Sequence, residues 1–246
     1  MPMFPSEVYR SYLTPLRFLQ RSASIFRQKP AVVYGDRSWT YPELNERVHR
    51  LASAFTAAGV QPGDRVAYLA PNIPQMLEGH FGAPLAGAIL VAINTRLSAP
   101  EVAYILEHSG ATALVVDTEL THLVAPALPN LPDLKLIVNI EDVPDGTALP
   151  GWEYEAFLDS GSPDEIAWPL HDEDDVITID YTSGTTGRPK GVRLTFANHF
   201  WSANSSAYRL GLDINERWLS CLPFYHVGGL AVLFRSCLYG TVVVLH

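Results

Sequence analysis

RVAYLAPNIPQMLEGHFGAPLAGAILVAI, the stretch from Arg65 to Ile93, decides the fold class. Its two ends, RVAYLA and AILVAI, are apolar without a break, whereas a strand with one wet face would alternate apolar and polar residues. Between them Asn72 to Leu85 reads as a helix. A fully apolar strand, a helix and a second fully apolar strand form a crossover unit, which joins parallel neighbours in a sheet covered on both faces.

The same alternation extends outward. Upstream, Thr14 and Pro15 form a cap and first-turn pair ahead of Leu16, Leu19, Ala23 and Phe26 at helical spacing. AVVYGDRSWTY reads as a hairpin turning at Gly35 and Asp36. Pro42 opens a helix with Leu44, Val48, Leu51 and Phe55 on one face, and Gly59 closes it. Downstream, Ser98 and Glu101 form a capping box for a helix through Val102, Ile105 and Leu106 that stops at Gly110. ATALVV and LKLIVNI read as strands. From Glu141 to Glu173 the pattern gives way to Pro, Gly and acidic residues around one short helix at WEYEAFL, which reads as a linker or surface loop region.

The acidic run Asp172 to Asp175 reads as a solvated lead-in to a strand. The alternation then resumes with VITIDY, a glycine-rich loop, GVRLTF, a helix from Asn198 to Leu210 closed by Gly211, the strand RWLSCL, a helix across GGLAVLFRSCLYG and the strand TVVVLH. The expected fold is therefore α/β, with mainly parallel sheets flanked by helices. Residues 1–170 form a first lobe and residues 171–246 the start of a second, cut before completion. Ligands in such sheets sit at the carboxyl ends of the strands.

Composition narrows the functional classes. With 48% hydrophobic residues, 246 residues are ample for a buried core, and a net charge of -9 argues against a nucleic-acid surface. The run from Phe81 to Ile93 contains Pro84 and is shorter than the about 20 residues needed to cross a bilayer, so no transmembrane segment is expected. The amino terminus lacks the basic and apolar blocks of a secretory signal. The two cysteines, Cys221 and Cys237, lie in apolar segments without Cys-x-x-Cys spacing, which reads as reduced core thiols in a cytoplasmic protein. No His-x-His or His-Glu-x-x-His pair is present, so no zinc site is expected.

The chemistry concentrates in YTSGTTGRPKGV, Tyr181 to Val192, directly after the apolar VITID. Glycines there let successive backbone amides point the same way, forming a nest for phosphate oxygens. Thr182, Ser183, Thr185 and Thr186 add hydroxyl donors, and Arg188 and Lys190 supply charge that the acidic chain otherwise lacks. The string is not the P-loop of nucleotide triphosphatases, because that spacing would put Gly where Pro189 stands. Nor is it a dinucleotide fingerprint, since no two of its glycines are separated by one residue. A structural turn remains the other reading of the residues alone.

The string Thr-Ser-Gly-Thr-Thr-Gly-x-Pro-Lys-Gly resembles the phosphate-binding signature of the adenylate-forming superfamily, which includes acyl-CoA synthetases, luciferases and adenylation domains of peptide synthetases. LPFYHVGGL, further on, resembles that family's next motif, and WTYPEL, GDRVAYLAPNIPQ and the segment from Gly87 to Asp117 resemble its amino-terminal lobe. The likeness covers essentially the whole chain. It implies two steps: a carboxylate attacks the ATP α-phosphate to give an acyl-adenylate and pyrophosphate, and the CoA thiol then displaces AMP.

By that resemblance Thr182, Ser183, Gly184, Thr185, Thr186, Gly187 and Lys190 cradle the β- and γ-phosphates with Mg2+, and His226, beside Tyr225, sits where the acyl group meets the nucleotide. The alternative for His226 is a hydrogen-bonded core histidine. His226 stands where amino-acid-activating members carry Asp, which disfavours an amino-acid substrate. The first 190 residues resemble fatty acyl-CoA ligases, while the stretches from Leu194 to Leu212 and Cys221 to Ser236 look more like o-succinylbenzoate–CoA ligase of menaquinone synthesis, so the acid is a fatty or an aryl acid. Phe196 replaces the family's usual His before the next helix, and His199 reads as a helix-start residue. Family members run to about twice this length, with the adenine, ribose and catalytic-lysine elements and most of the CoA and Mg2+ contacts beyond His246. The expected function is the amino-terminal portion of an ATP-dependent acyl-CoA ligase, inactive or feeble alone. The alternative is a non-catalytic fold or assembly module derived from one. An open sheet edge would favour a homodimer.

Overall fold

The computed structural model describes residues 13–164, 166, 172–182 and 188–246. Helix α1, Pro15–Ile25, starts where Thr14 Oγ1 accepts from the Leu16 amide, and leads to the hairpin of β1, Pro30–Tyr34, and β2, Arg37–Thr40. Helix α2, Tyr41–Ala57, ends ahead of Gly59, whose φ of 93° favours glycine. Then follow β3, Arg65–Leu69, α3, Pro74–Leu85, β4, Ile89–Ala92, α4, Ala99–Ser109, and β5, Ala111–Asp117. The Ser98 and Glu101 capping box forms, with the Ser98 amide donating to Glu101 Oε2 at 2.9 Å.

After 3-10 turns over Thr121–Leu123 and Ala125–Asn130 come β6, Leu136–Ile140, β7, Trp152–Glu153, and α5, Tyr154–Asp159. The last part holds β8, Val176–Thr182, β9, Lys190–Thr195, α6, Phe196–Leu210, β10, Arg217–Leu219, α7, Val227–Tyr239, and β11, Val242–Leu245.

Two sheets result. The larger runs β7-β6-β5-β3-β4-β8-β9 and is parallel except for the β8–β9 hairpin; the smaller runs β10-β11-β1-β2 and is parallel except for the β1–β2 hairpin. This is the expected α/β architecture. Each sheet draws strands from both sides of residue 170: β8 and β9 extend the sheet of β3 to β7, while β10 and β11 join β1, with Val32 opposite Val243. The division expected at residue 170 therefore does not coincide with a division between sheets.

One face of the large sheet buries Ala67, Leu69, Val91, Leu114 and Val116 against Val102, Ile105 and Leu106 of α4. The other face shares a larger apolar cluster with α1, α2, α3, α5, α6, α7 and the small sheet. The span read as linker contributes to the fold: β7 adds an edge strand beside β6, and Phe157 of α5 stacks on Phe55 at 5.4 Å. A two-residue strand has no periodicity to detect, so the sequence pattern passes over it. Of the two cysteines, Cys237 is a core thiol, pushed well above its usual pKa by burial, but Cys221 is exposed, contrary to expectation. The apolar neighbours of Cys221 do not enclose it: Leu219 and Leu222 are exposed as well.

Candidate nucleotide and acyl site

Strand β8 delivers its carboxyl end to the glycine-rich string, and β9 takes the chain back antiparallel, with Thr182 opposite Lys190. Directly opposed residues of an antiparallel pair point to the same face, so a hydroxyl and an ammonium stand side by side at the tip of the hairpin. Both are exposed. Ser183, Gly184, Thr185, Thr186 and Gly187 lie outside the described residues. Gly191, the last glycine of the string, has a steric reason: a Cβ there would stand 2.8 Å from Ile179 Cγ2 and 3.3 Å from the Tyr181 ring.

Arg188 and Lys190 divide. The Arg188 guanidinium lies over the ring of Tyr104, a residue of α4, at 5.3 Å. Tyr181 also faces α4, its hydroxyl hydrogen-bonded to His108 Nδ1 at 2.7 Å. Residues alternate along a strand, so Thr178, Asp180 and Thr182 face away from α4. Thr178 Oγ1 bonds His199 Nε2 at 2.9 Å. His199 is thus a buried partner of β8 as well as a residue of the first turn of α6, and burial lowers its pKa to about 4. Asp180 is 4% exposed, neither carboxylate oxygen has a hydrogen-bond partner among the described residues, and burial pushes its pKa up to about 7. His80 of α3 is fully buried and burial, ahead of the nearby His199, lowers its pKa to about 3. Burial thus favours the uncharged forms of Asp180, His80 and His199 alike.

The second motif is held by a residue the sequence reading used only as a helix start. Asn72 follows β3, and its Nδ2 donates to the carbonyls of Ser220 at 3.2 Å and Leu222 at 2.8 Å, while its Oδ1 accepts from the Phe224 amide at 2.9 Å. This staples LPFYH to the carboxyl end of β3. The only signal in the sequence is an amide side chain just after a buried strand. In the sheet β3 and β8 are separated by β4 alone, so the two motifs sit at the same end of parallel strands about 10 Å apart.

His226 is exposed and caps α7, its carbonyl accepting from the amides of Gly229 and Leu230. Its ring lies 4.8 Å from that of Tyr225, which is buried. The reading of His226 as a core histidine therefore fails, and the imidazole is open to a ligand. Gly229 has no room for a Cβ because the carbonyls of Leu222 and Pro223 occupy that space. Among the described residues no group of three or more His, Cys, Asp or Glu side chains could hold a metal ion, and no helix is long and apolar enough to cross a membrane.

The chain is similar to known proteins over nearly its whole length. The chain is 38% identical over 229 residues to 2-succinylbenzoate–CoA ligase of Bacillus licheniformis, covering 93% of the chain and 44% of the relative. It is 36% identical over 247 residues to the peroxisomal acetate/butyrate–CoA ligase AAE7 of Arabidopsis thaliana, covering 93% of the chain and 42% of the relative. Among solved structures, the anthranilate CoA ligase AuaEII in complex with anthranoyl-AMP superposes with a TM-score of 0.89 at 26% identity, over 97% of the chain and 46% of that protein. The chain thus spans less than half the length of the curated relatives it matches. The family described as AMP-binding enzyme matches residues 19–246, nearly the whole chain, and the protein belongs to that family.

Proposed function

We propose that the chain is the amino-terminal part of an ATP-dependent acyl-CoA ligase, carrying the grip for the β- and γ-phosphates of ATP and one wall of the acyl pocket. The observation that carries this reading is Thr182 opposite Lys190 at the carboxyl end of β8, the end of the sheet that also receives the LPFYH loop. A carboxylate is a poor acyl donor because its charge repels nucleophiles and oxide is a bad leaving group. Transfer of its oxygen to the ATP α-phosphorus, with pyrophosphate leaving, gives an acyl-adenylate from which the CoA thiol displaces AMP. The protein's share of such chemistry is positioning and charge neutralisation.

Thr182 and Lys190, with Ser183, Gly184, Thr185, Thr186 and Gly187, bind the departing phosphates, and His226 meets the acyl carboxylate at the amino end of α7, where the helix dipole favours an anion. Mg2+ would share the neutralisation of the phosphate charge with these residues. The substrate is a fatty or aryl carboxylic acid. The relatives named above act on 2-succinylbenzoate, acetate or butyrate, and anthranilate. A cytoplasmic location is consistent with the free cysteines.

A second reading, an assembly module, is favoured by one observation: Trp201, Tyr208, Leu212, Leu219 and Leu222, all between residues 200 and 223, are exposed. Titration with MgATP tests the first reading. The wild-type chain is expected to bind, and replacing both Thr182 and Lys190 by Ala is expected to weaken binding about tenfold or more. Equal affinity in both proteins would leave the string a structural turn. Acid-dependent pyrophosphate release, read with a panel of short, aryl and long-chain acids on a protein extended beyond His246, then identifies the substrate. If none of the acids elicits pyrophosphate release, the enzyme reading is removed in favour of assembly.

A further inference from the structure

Tyr181, Arg188 and Pro189, which flank residues 183–187 in the sequence, are all tied to one turn of one helix. Tyr104 and His108 stand four residues apart on α4, hence on the same face, with ring centroids 5.1 Å apart. On the entry side, His108 Nδ1 bonds the Tyr181 hydroxyl at 2.7 Å and the two rings meet edge to face at 5.8 Å and 81°. On the exit side, the Tyr104 hydroxyl donates to the Pro189 carbonyl at 3.4 Å, and the Tyr104 ring carries the Arg188 guanidinium. Opposite Tyr181 on β9, Gly191 leaves space beside the Tyr181 ring.

Strand alternation separates the consequences. Tyr181 is held on the α4 face, which fixes Thr182 and its partner Lys190 on the opposite face. A phosphate grip needs its donors ordered before the ligand arrives, because every residue ordered on binding subtracts from affinity. The clamp supplies that order from outside the grip. It also uses up one of the two cations: a guanidinium stacked on an aromatic face on the α4 side is aimed away from the side that Thr182 and Lys190 share.

We propose that Tyr104 and His108 are positioning residues that hold Thr182 and Lys190 in register for the triphosphate, and that Arg188 is the anchor of this clamp and not a phosphate ligand. This rests on the reading of Thr182 and Lys190 as the triphosphate grip. The experiment has two arms on the 246-residue chain. In the first, inorganic pyrophosphate with Mg2+ is titrated by calorimetry. Lys190→Ala is expected to lose about tenfold or more in affinity, and Tyr104→Ala, His108→Ala and Arg188→Ala about three- to fivefold each. Tyr104→Phe, which keeps the ring under Arg188, recovers most of the loss, and Tyr104→Ala combined with Arg188→Ala is no worse than either alone.

In the second arm, no ligand is present and the rate of tryptic cleavage after Lys190 is followed, the Arg188–Pro189 bond being resistant. Tyr104→Ala and His108→Ala are expected to speed cleavage about fivefold at an unchanged melting temperature, because only the hairpin tip opens more often. Pyrophosphate affinity unaffected by Lys190→Ala, or no binding by the wild type, removes the triphosphate reading and the proposal with it. Normal loss in Lys190→Ala with wild-type affinity and cleavage rate in the Tyr104 and His108 variants removes the clamp alone. An Arg188→Ala loss as large as that of Lys190→Ala and additive with Tyr104→Ala makes Arg188 a phosphate ligand.

Discussion

Glu78 and Asp180 are both buried carboxyl groups, 1% and 4% exposed, and their surroundings could hardly differ more. Glu78, on α3, takes the Arg47 guanidinium through Nε at 2.5 Å and Nη2 at 3.2 Å and the Tyr154 hydroxyl at 2.7 Å, while Arg47 also reaches Glu155 at 2.8 Å. Burial pushes Glu78 above the usual carboxylate range although Arg47 and Tyr154 pull it back. Asp180, on β8, has no hydrogen-bond partner for either oxygen among the described residues. A buried charge is tolerated in a scaffold only when it is paired, so the first arrangement ties α2, α3 and α5 together, and the second is a cost that stability alone does not explain. Its place two residues before Thr182 puts that cost at the site.

The largest expected effect breaks the first half of this contrast. Glu78→Ala removes the charge that Arg47 faces in the interior and leaves the Tyr154 hydroxyl unbonded, and should cost about 3–5 kcal/mol in urea unfolding. A cost below about 1 kcal/mol would mean that Arg47 turns wholly to the exposed Glu155, and that Glu78 is no more integral than Asp180.

A smaller effect of opposite sign belongs to Asp180. Its folded pKa of about 7 lies above that of a free carboxyl, so the protonated form is favoured by folding; the resulting stability is full at low pH and is lost as pH rises toward 7. Asp180→Asn should therefore be more stable than wild type by about 2–3 kcal/mol at pH 8, with the gap shrinking through pH 5. His80 and His199, neutral when folded, act the other way below their ordinary pKa, destabilising both proteins alike as pH falls. The comparison of variant with wild type isolates the carboxyl group. A gap independent of pH would show that Asp180 is ionised and paired in solution.

The sequence shows unevenly which polar groups are scaffold and which are site. Features closed within a few residues are legible in it: the Ser98 and Glu101 box, the turn at Gly35, the helix ends at Gly59 and Gly110, and the glycine-rich string after an apolar strand. What joins distant segments is not. The pairing of β1 with β11 places the two ends of the chain in one sheet, and no local pattern distinguishes that partner from any other apolar strand. The partners of Glu78 lie on α2 and α5, and those of His199 and Asn72 on β8 and in the loop before α7. The contacts of Tyr104 and His108 with Tyr181, Arg188 and Pro189 are equally hidden, because in α4 they read as two more residues of a helix face. The family signature identifies which loop to watch, and only the tertiary contacts show what holds it.

Asn72 sharpens the comparison from between its two poles, being polar, fully bonded like Glu78, and at the site like Asp180. It carries no charge, so removing it strands three backbone groups that water can reach once the loop loosens. Asn72→Ala should cost only about 1–2 kcal/mol of global stability. Its larger consequence is local: the LPFYH loop loses its tie to β3, so amide hydrogen exchange at Phe224 should rise well beyond what the global change explains, while the amides of α2 and α3 around Glu78 change only in proportion. Asn72→Asp keeps the acceptor for the Phe224 amide but turns a carboxylate toward the carbonyls of Ser220 and Leu222, and should be the worse of the two. Were exchange to rise uniformly across the protein in both variants, the loop would be part of the same cooperative unit as the Glu78 cluster, and the separation of scaffold from site drawn from the two carboxyl groups would not hold.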